Sequence, residues 1–305
     1  MGLLDGKIAI VTGAGHGVGR GEALELAAHG AKVVVNDLGG SMVGEGADKA
    51  PAEEVAQIIR DRGGEAVANH DDIADWAGAR NVVDQAVEEF GGLDILVNNA
   101  GILRDSVIVN MDEAMFDAVI RVHLKGTFAT THHAANHWRS QSKAGNQPRA
   151  AIVNTVSSAG LQGNVGQANY GAAKAGVAAL TVISSLELDR YGVRANAICP
   201  GGFTRMVGAA MKDIEVKEPD QYTDYDRMNP GNSAPTVAWL ASDQALHVTG
   251  QVFRAVGSNI THYEGWKFGG SVETEGRWDA NRIGPAVNAE IFGSRAAGLK
   301  MPGRT

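Results

Sequence analysis

The sequence predicts a doubly wound α/β domain with a parallel sheet, followed by a C-terminal extension. Short apolar runs alternate with amphipathic segments along the first two-thirds of the chain. The runs are apolar throughout, as strands are when helices cover both faces of a parallel sheet. A glycine-rich turn follows the first run. With 305 residues, of which 44% are hydrophobic and 20% charged, the composition is that of an ordinary globular protein.

Strands are predicted where short apolar, often β-branched runs occur, and helices where apolar residues recur at helical spacing. The predicted strands are 7–12, 31–36, 65–70, 93–98, 150–155, 193–198 and 251–256. The predicted helices between them include 51–62, 75–90, 112–140 and 168–190. Insertions are expected at 39–49, at 140–149 and in the tail. We therefore expect one domain over 1–261 and an extension over 262–305 that packs on it through Trp266, Phe268, Trp278 and Phe292.

Charge and cysteine content exclude several classes of function. The net charge is −8 and the basic residues form no block, which disfavours nucleic acid as a partner. The single cysteine, Cys199, excludes an internal disulfide and fits a reducing compartment. The N-terminus lacks a signal-peptide pattern, and we expect no apolar stretch near the ~20 residues that a bilayer span requires. A cytoplasmic protein without membrane contact is expected.

The glycine-rich turn predicts a dinucleotide site of the Rossmann type. It reads "VTGAGHGVGRG" over 11–21, between the first strand and the first helix. Small residues let the backbone approach a diphosphate, and the N–H groups at the helix start can bind it. The residues expected to hold the cofactor here are Gly13, His16, Gly17, Val18 and Gly19.

Asp37 predicts which cofactor is bound. It ends the second strand about 20 residues beyond the turn, where a carboxylate can accept bonds from ribose hydroxyls and repel a 2′-phosphate. His16 holds the place in the turn where a compensating arginine could stand, and it is mostly uncharged at neutral pH. The pattern therefore favours NAD over NADP. The alternative is that Asp37 only caps a loop.

A tyrosine and a lysine provide the candidate catalytic pair. Tyr170 and Lys174 lie four residues apart in "NYGAAKAG", so they share one face of the predicted helix. This spacing alone is a weak signal, and a chance pair is the alternative. The Lys174 ammonium and an oxidised nicotinamide would both favour the phenolate of Tyr170, which could then accept the proton of an alcohol.

These motifs together resemble the short-chain dehydrogenase/reductase family. "TGAGHGVG" (12–19), "NNAG" (98–101), Ser157 thirteen residues before Tyr170, and "CPGGFT" (199–204) occur in the family's order. A closer similarity, in "VVVNDLGG", "NNAGILRD", "VHLKGTF" and "GNVGQANY", is to the (3R)-hydroxyacyl-CoA dehydrogenase domain of the peroxisomal multifunctional β-oxidation enzyme and to single-domain actinobacterial dehydrogenases. The resemblance covers roughly 5–257, so a free-standing dehydrogenase is expected.

The resemblance implies further site residues. Ser157 would hold the substrate oxygen, Tyr170 would act as the base, and Lys174 would also bond the nicotinamide ribose. The remaining cofactor contacts that it implies are Asp72 and Ile73 at the adenine, Asn99, Ala100 and Gly101 at the ribose, and Pro200, Gly201, Phe203 and Thr204 at the nicotinamide. His123 stands where the family usually has an asparagine that holds a water in a proton relay, so it either replaces that asparagine or only packs there.

The predicted function is NAD-dependent oxidation of a secondary alcohol, most simply a 3-hydroxyacyl-CoA of a fatty acid or a sterol side chain. Two alternatives stay open: a hydroxysteroid dehydrogenase acting on a free sterol ring alcohol, and a non-catalytic nucleotide-binding regulator. The intact Ser157, Tyr170 and Lys174 disfavour the regulator. The resemblance also implies a homodimer or homotetramer.

No metal site is predicted. His133 and His137 have i,i+4 spacing, but no HExxH glutamate lies between them. Cys199 is expected to be a buried structural thiol. Basic residues of the extension are expected to meet the phosphates of coenzyme A.

Overall fold

A computed structural model of the chain describes residues 2–208, 216–265 and 267–292. The chain divides into two compact units, Met1–Tyr263 and Glu264–Thr305. The boundary lies two residues beyond the predicted one. The first unit contains the sheet and all of the candidate site residues.

The first unit is built on one sheet, which in the described chain has eight strands. They are β1 (Ile8–Thr12), β2 (Lys32–Asn36), β3 (Ala66–Asn69), β4 (Ile95–Asn98), β5 (Ala150–Thr155), β6 (Val193–Gly201), β7 (Val252–Val256) and β8 (Asn259–Tyr263). The strand order is β3-β2-β1-β4-β5-β6-β7-β8, and every pair is parallel except β7 with β8. The predicted fold class is confirmed.

Helices connect the strands. They are α1 (Gly17–Ala28), α2 (Ala50–Asp61), α3 (Trp76–Phe90), α4 (Glu113–Ile120), α5 (Gly126–Lys143), α6 (Ser158–Gln162), α7 (Ala168–Leu188), α8 (Arg205–Gly208) and α9 (Ala234–Ala241). The prediction of one regular helix over 112–140 is wrong in detail. A π-helical turn, Arg121–Lys125, separates α4 from α5. The polar segment expected as an insertion from 140 is still helical up to Lys143.

The strands are buried on both faces, as the continuous apolar runs predicted. Ala9 and Val11 of β1 enter a core that also contains Leu26 of α1 and Leu240 of α9. Because side chains alternate along a strand, the neighbouring Ile8 and Ile10 enter the opposite core, with residues of α3 and α5. Two layers of helices therefore hold the sheet rigidly between them.

Connections leave β1 and β4 in opposite directions along the sheet, since β1 is followed by β2 and β4 by β5 on its other side. A crevice opens at the carboxyl ends of such a pair, and ligands of open α/β sheets bind there. The fold thus places the glycine turn after β1 next to the "NNAG" segment after β4.

Paired asparagines mark the ends of the strands around this crevice. Asn36 of β2 faces Asn69 of β3, and Asn98 of β4 faces Asn154 of β5. The Asn36 amide donates to the Asn69 amide oxygen at 2.6 Å, and Asn98 donates to Asn154 at 2.9 Å. All four side chains are buried. Each buried amide therefore has a partner at the same level of the neighbouring strand.

The expectation that no segment is long and apolar enough to span a bilayer is wrong for one helix. The stretch Ala168–Tyr191 passes that test by length and composition. Its helix α7 lies against β5 and β6, and a third of the apolar window is buried within the protein. Length and composition alone are weak grounds for a span, because the core helix of a globular domain passes the same test.

The second unit contains, in its described part, α10 (Ala280–Val287) and a π turn, Asn288–Phe292. Trp266 and the side chain of Phe292 lie outside the described residues, as do the basic residues Arg295, Lys300 and Arg304. The predicted packing of the extension stays a prediction.

Candidate active site

A cavity of about 710 Å³ lies at the carboxyl ends of the strands, where β1 and β4 meet. It gathers most of the predicted site residues from segments far apart in the chain. Those that line it are Gly13, His16, Gly17, Val18, Asp37, Asp72, Ile73, Asn99, Ala100, Gly101, His123, Ser157, Tyr170, Lys174, Pro200 and Thr204. Three residues that were predicted to bind the cofactor do not line the cavity. They are Gly19, Gly201 and Phe203.

Gly19, Gly201 and Phe203 pack against residues next to the cavity. A Cβ on Gly19 would lie 2.3 Å from the Gly13 carbonyl oxygen, so α1 can approach the turn this closely only with glycine there. A Cβ on Gly201 would lie 2.4 Å from Val256. Phe203 is buried, and its N–H donates to the Met228 carbonyl at 2.6 Å. They therefore support the predicted cofactor site from outside.

The glycine turn is shaped by positive backbone angles and by Asn99. Gly13 and Gly17 have φ of 63° and 54°, in the left-handed region that side chains disfavour. The Asn99 amide donates to the carbonyls of Thr12 and Gly13 at 3.1 and 3.0 Å. Asn99 thus ties the turn after β1 to the segment after β4, a role that the sequence pattern did not indicate.

Asp37 lies at the end of β2 with both oxygens in use. The Gly15 N–H donates to Oδ2 at 2.8 Å and the Gly39 N–H donates to Oδ1 at 2.7 Å. The carboxylate is therefore held in one orientation at the cavity wall. This geometry combines the two interpretations of the sequence, since Asp37 caps its loop and also presents negative charge to the cavity.

The predicted insertion at 39–49 contributes to the cavity wall. Its Met42 carbonyl accepts from the Leu103 N–H at 2.9 Å, and its Val43 carbonyl accepts from Arg104 Nε at 2.9 Å. Met42 and Gly44 line the cavity. No periodic or chemical pattern in the sequence predicts this contact; only the position of the insertion, directly after Asp37, places it near the site.

Asp72 and Ile73 lie on the same side of the cavity as Asp37. An Arg121 guanidinium nitrogen donates to Asp72 Oδ2 at 2.5 Å, and the Ala74 N–H donates to Oδ1 at 2.9 Å. Ile73 is buried, with its side chain in the space that a Cβ on Gly126 would enter. The apolar and polar groups expected around an adenine are therefore adjacent.

The candidate catalytic residues meet at the other end of the cavity. Tyr170 and Lys174 are in the first two turns of α7, and Ser157 is the N-cap residue of α6. Lys174 is buried, and its ammonium donates to the Thr155 carbonyl at 2.6 Å. The Lys174 nitrogen lies 5.8 Å from the centre of the Tyr170 ring. The Ser157 hydroxyl accepts from the Ala159 N–H at 3.2 Å.

Burial dominates the ionisation of this pair. Tyr170 is half-buried, and burial raises the pKa of Tyr170 to about 12, with a partial lowering by Ser157. Burial lowers the pKa of Lys174 to about 8. The expectation that the Lys174 ammonium would itself depress the Tyr170 pKa is therefore not met in the chain alone. The added charge of an oxidised nicotinamide was the other half of that expectation.

His123 is in the π-helical turn, fully enclosed by protein. Its Nε2 contacts the Ile102 main chain, 3.0 Å from the nitrogen and 2.8 Å from the oxygen. Its Nδ1 finds no hydrogen-bond partner among the residues that the structure describes. Burial lowers the pKa of His123 to about 3, so the ring is neutral. The His123 ring makes a T-shaped contact with the Tyr170 ring, with centroids 5.1 Å apart.

Glu218 reaches the glycine turn from the far side of the cavity. The Gly17 N–H donates to its Oε2 at 2.7 Å, and His16 Nδ1 lies 2.7 Å from its Oε1. This residue was missed by the sequence reasoning. It sits in a polar segment about 200 residues from its partners, with no periodicity to signal a contact.

The histidines of α5 and the cysteine of β6 lie outside the site. The His132 and His133 rings each contact the Trp76 ring at a centroid distance of 4.9 Å, in a tilted and a T-shaped arrangement respectively. In the described residues, no three His, Cys, Asp or Glu side chains are grouped so as to hold a metal ion. Cys199 is buried, as expected.

The sequence and the fold were compared with known proteins. Hydroxyacyl-CoA dehydrogenase ChsB1 of Mycobacterium tuberculosis is 45% identical over 263 residues, which cover 85% of this chain and 80% of that protein. Peroxisomal multifunctional enzyme type 2 of Drosophila melanogaster is 42% identical over 239 residues, covering 78% of this chain and 37% of that enzyme. A crystal structure of a short chain dehydrogenase from Mycobacterium avium is 49% identical, with a TM-score of 0.84 and coverage of 94% and 95%.

The predicted resemblance is thereby confirmed. A family model described as short chain dehydrogenase matches residues 7–215, which include the glycine turn, Ser157, Tyr170 and Lys174. The chain is therefore an oxidoreductase that belongs to the short-chain dehydrogenase family, whose members typically use NAD or NADP.

Proposed function

We propose that this enzyme oxidises the 3-hydroxyl group of a 3-hydroxyacyl-CoA to a ketone, with NAD as the hydride acceptor. The observation that carries the proposal is the convergence of Ser157, Tyr170 and Lys174 on one end of a cavity whose other end holds Asp37. A dinucleotide needs both ends, one for its adenosine and one for its reactive ring.

The residues present fit such a cofactor. Gly13 and Gly17 have no side chain between their backbone and the cavity, and α1 begins at Gly17, where main-chain N–H groups can donate to an anion. Asp37 is held by two main-chain N–H groups and keeps lone pairs for ribose hydroxyls. Its charge opposes a 2′-phosphate, and this supports NAD rather than NADP.

Bound NAD would supply the hydride chemistry. The chain's own contribution is to hold the alcohol and to accept its proton. The Tyr170 phenolate is the proton acceptor, and the Ser157 hydroxyl, which interacts with Tyr170, can bond the same substrate oxygen. Lys174 is fixed by the Thr155 carbonyl, so its remaining N–H groups are free to bond a ribose and its charge remains near Tyr170.

The substrate class is supported by similar proteins. One relative at 45% identity is named a hydroxyacyl-CoA dehydrogenase, and another is a multifunctional enzyme of peroxisomes. The substrate end of the cavity is lined by mixed apolar and polar residues, namely Leu103, Asp105, Asn164, Gln167 and Met206. Such a wall can accept an acyl chain beside a thioester.

A turnover panel tests the proposal. The purified protein would be given NAD with 3-hydroxyacyl-CoA thioesters of several lengths, or with free hydroxysteroids, while NADH absorbance is followed. We expect turnover of the thioesters and little of the free steroids. The reverse result would favour a hydroxysteroid dehydrogenase. Binding of NAD without any turnover would favour the regulator that the sequence left open.

We also propose a homo-oligomer, as the resemblance implied. Phe116 on α4, Phe128 on α5, and Ile183 and Leu186 on α7 are exposed. Exposed apolar residues of this size are typical of protein interfaces. Light scattering after size-exclusion chromatography tests this, and a monomer would contradict it.

A further inference from the structure

The segment 216–221, here called the latch segment, brings a carboxylate to the start of α1. Glu218 receives the Gly17 N–H at 2.7 Å and lies 2.7 Å from His16 Nδ1. The side chain is 17% exposed. Burial alone would raise the pKa of Glu218, but the bonds from His16 and Gly17 lower it below its usual value. The group is therefore an ionised carboxylate at neutral pH.

The latch segment is anchored next to this contact. Arg20 of α1 donates to both oxygens of Asp220, at 2.7 and 2.8 Å, and it also donates to Glu54 at 2.8 Å. The Arg20 side chain is buried, with 5% exposed. A bidentate hydrogen bond of this kind fixes the orientation of the two side chains as well as their position. The Gln221 amide oxygen accepts from the Glu218 N–H at 2.9 Å, which stiffens the segment further.

The position of Glu218 is chemically that of a cofactor group. The N–H groups at the start of a helix, with its positive dipole end, attract anions. In a dinucleotide-binding turn, the anion is the diphosphate. A carboxylate already bonded to Gly17 uses one of these donors and adds a like charge beside the remaining ones. The Glu218 carboxylate and a diphosphate cannot both accept a full hydrogen bond from the Gly17 N–H.

We propose that Glu218 is an internal competitor of the cofactor: it occupies Gly17 and His16 in the cofactor-free enzyme and releases them when the diphosphate of a dinucleotide binds. Asp220 and Arg20 would keep the latch segment nearby for return after the cofactor leaves. The inference rests on dinucleotide binding at the glycine turn, which is part of the proposed function, and is independent of the alcohol substrate.

The competition has a measurable cost in affinity. When only a fraction of the molecules is open to the ligand, the apparent dissociation constant is the intrinsic one divided by that fraction. Glu218→Gln keeps the shape of the side chain and removes its charge, so the closed state loses its charge-assisted bonds. We expect NAD to bind Glu218→Gln about 3- to 10-fold more tightly than the unsubstituted protein, as measured by calorimetry.

Two controls separate a local latch from general charge effects. Asp224→Asn makes the same change of charge at an exposed position on the same stretch of chain. The dissociation constant of NAD for Asp224→Asn should stay within about 2-fold of that for the unsubstituted protein, because exposed charges are screened by salt. ADP contains the diphosphate and should also bind Glu218→Gln more tightly than the unsubstituted protein. Adenosine lacks the diphosphate and should bind both proteins equally.

Hydrogen exchange followed by mass spectrometry gives a readout without substitution. Peptides covering the latch segment should exchange faster when NAD is added to the unsubstituted protein. Unchanged or weaker NAD binding by Glu218→Gln, an equal gain for adenosine, or a latch segment more protected with NAD would each overturn the latch. If the unsubstituted protein bound neither NAD nor ADP, the proposed function would fail along with it.

Discussion

The His123 and Tyr170 rings pack in a T-shaped contact, with a centroid distance of 5.1 Å and an interplanar angle of 83°. His123 is also bonded to the Ile102 main chain through Nε2. It therefore connects the segment after β4 with the candidate base on α7. A neutral, buried imidazole in this position can orient Tyr170 by contact alone, without a hydrogen bond from its Nδ1.

Two substitutions at His123 separate packing from proton transfer. His123→Phe keeps an aromatic ring against Tyr170, and we expect kcat to fall by less than about 10-fold. His123→Ala leaves a cavity, and the misplaced Tyr170 should lower kcat by about 10²-fold. The free energy of unfolding of His123→Ala should fall by about 2–4 kcal/mol in urea titrations. Equal losses of kcat in both variants would instead assign the chemistry to the imidazole nitrogens.

Tyr170→Phe tests the base. The phenyl ring keeps the contact with His123 and removes the proton acceptor, so turnover should fall by about 10²–10⁴. NAD affinity, measured by calorimetry, should change little. The same substitution at an exposed tyrosine, Tyr225→Phe, serves as the control. Near-normal turnover by Tyr170→Phe would remove Tyr170 from its role.

Asp37→Asn tests the choice of cofactor. Asparagine keeps an oxygen for the Gly15 or Gly39 N–H and loses the charge, so the loop should stay in place. The unsubstituted enzyme should prefer NAD to NADP by at least ~10-fold in kcat/KM, and the variant should narrow this gap. Asp48→Asn, farther along the same exposed stretch, should leave the preference unchanged. Equal use of both cofactors by the unsubstituted enzyme would refute the assignment.

Glu22, on the buried face of α1, predicts a pH-dependent stability. Its two carboxyl oxygens contact no hydrogen-bonding group in the part of the chain that the structure describes. Burial raises the pKa of Glu22 to about 8, with a partial lowering by the Lys174 charge. Between pH 4.5 and 8 the folded chain keeps a proton that the unfolded chain releases. Rising pH therefore destabilises the fold across this window.

Glu22→Gln, which carries no titratable group, should lose this dependence. We expect the free energy of unfolding of the unsubstituted protein, relative to Glu22→Gln, to fall by roughly 1–4 kcal/mol from pH 5 to pH 8. Denaturant titrations at several pH values would measure it. Glu89→Gln changes an exposed position of α3, and its free energy of unfolding should depend on pH as that of the unsubstituted protein does. Parallel curves for Glu22→Gln would show that Glu22 ionises normally.

The sequence predicted the strands well because fully buried parallel strands leave continuous apolar runs. β8 was not predicted, since its residues "NITHY" are largely polar and exposed along one edge of the sheet. The π turn at His123 was not predicted either, because one extra residue in a helix hardly changes its periodicity. Tertiary packing decides both features.

The gathering of Gly13, Asp37, Ser157, Tyr170 and Lys174 at one cavity could be predicted, since their spacing follows the order of strands and helices. The ionisation of Tyr170 could not, because spacing says nothing about how deeply a phenol is enclosed. The contact between Glu218 and Gly17 likewise depends on two loops meeting across the fold.

The paired asparagines have a consequence for how the chain can change in length. Shifting Asn98 by one residue against Asn154 would turn both amides away from each other and bury them without partners. Insertions and deletions inside the strands are therefore costly, whereas those placed after the asparagines leave the pairs untouched. The eleven residues of 39–49 come after Asn36 and fit this rule. Loops at this edge can lengthen to meet a new substrate while the reacting groups keep their positions.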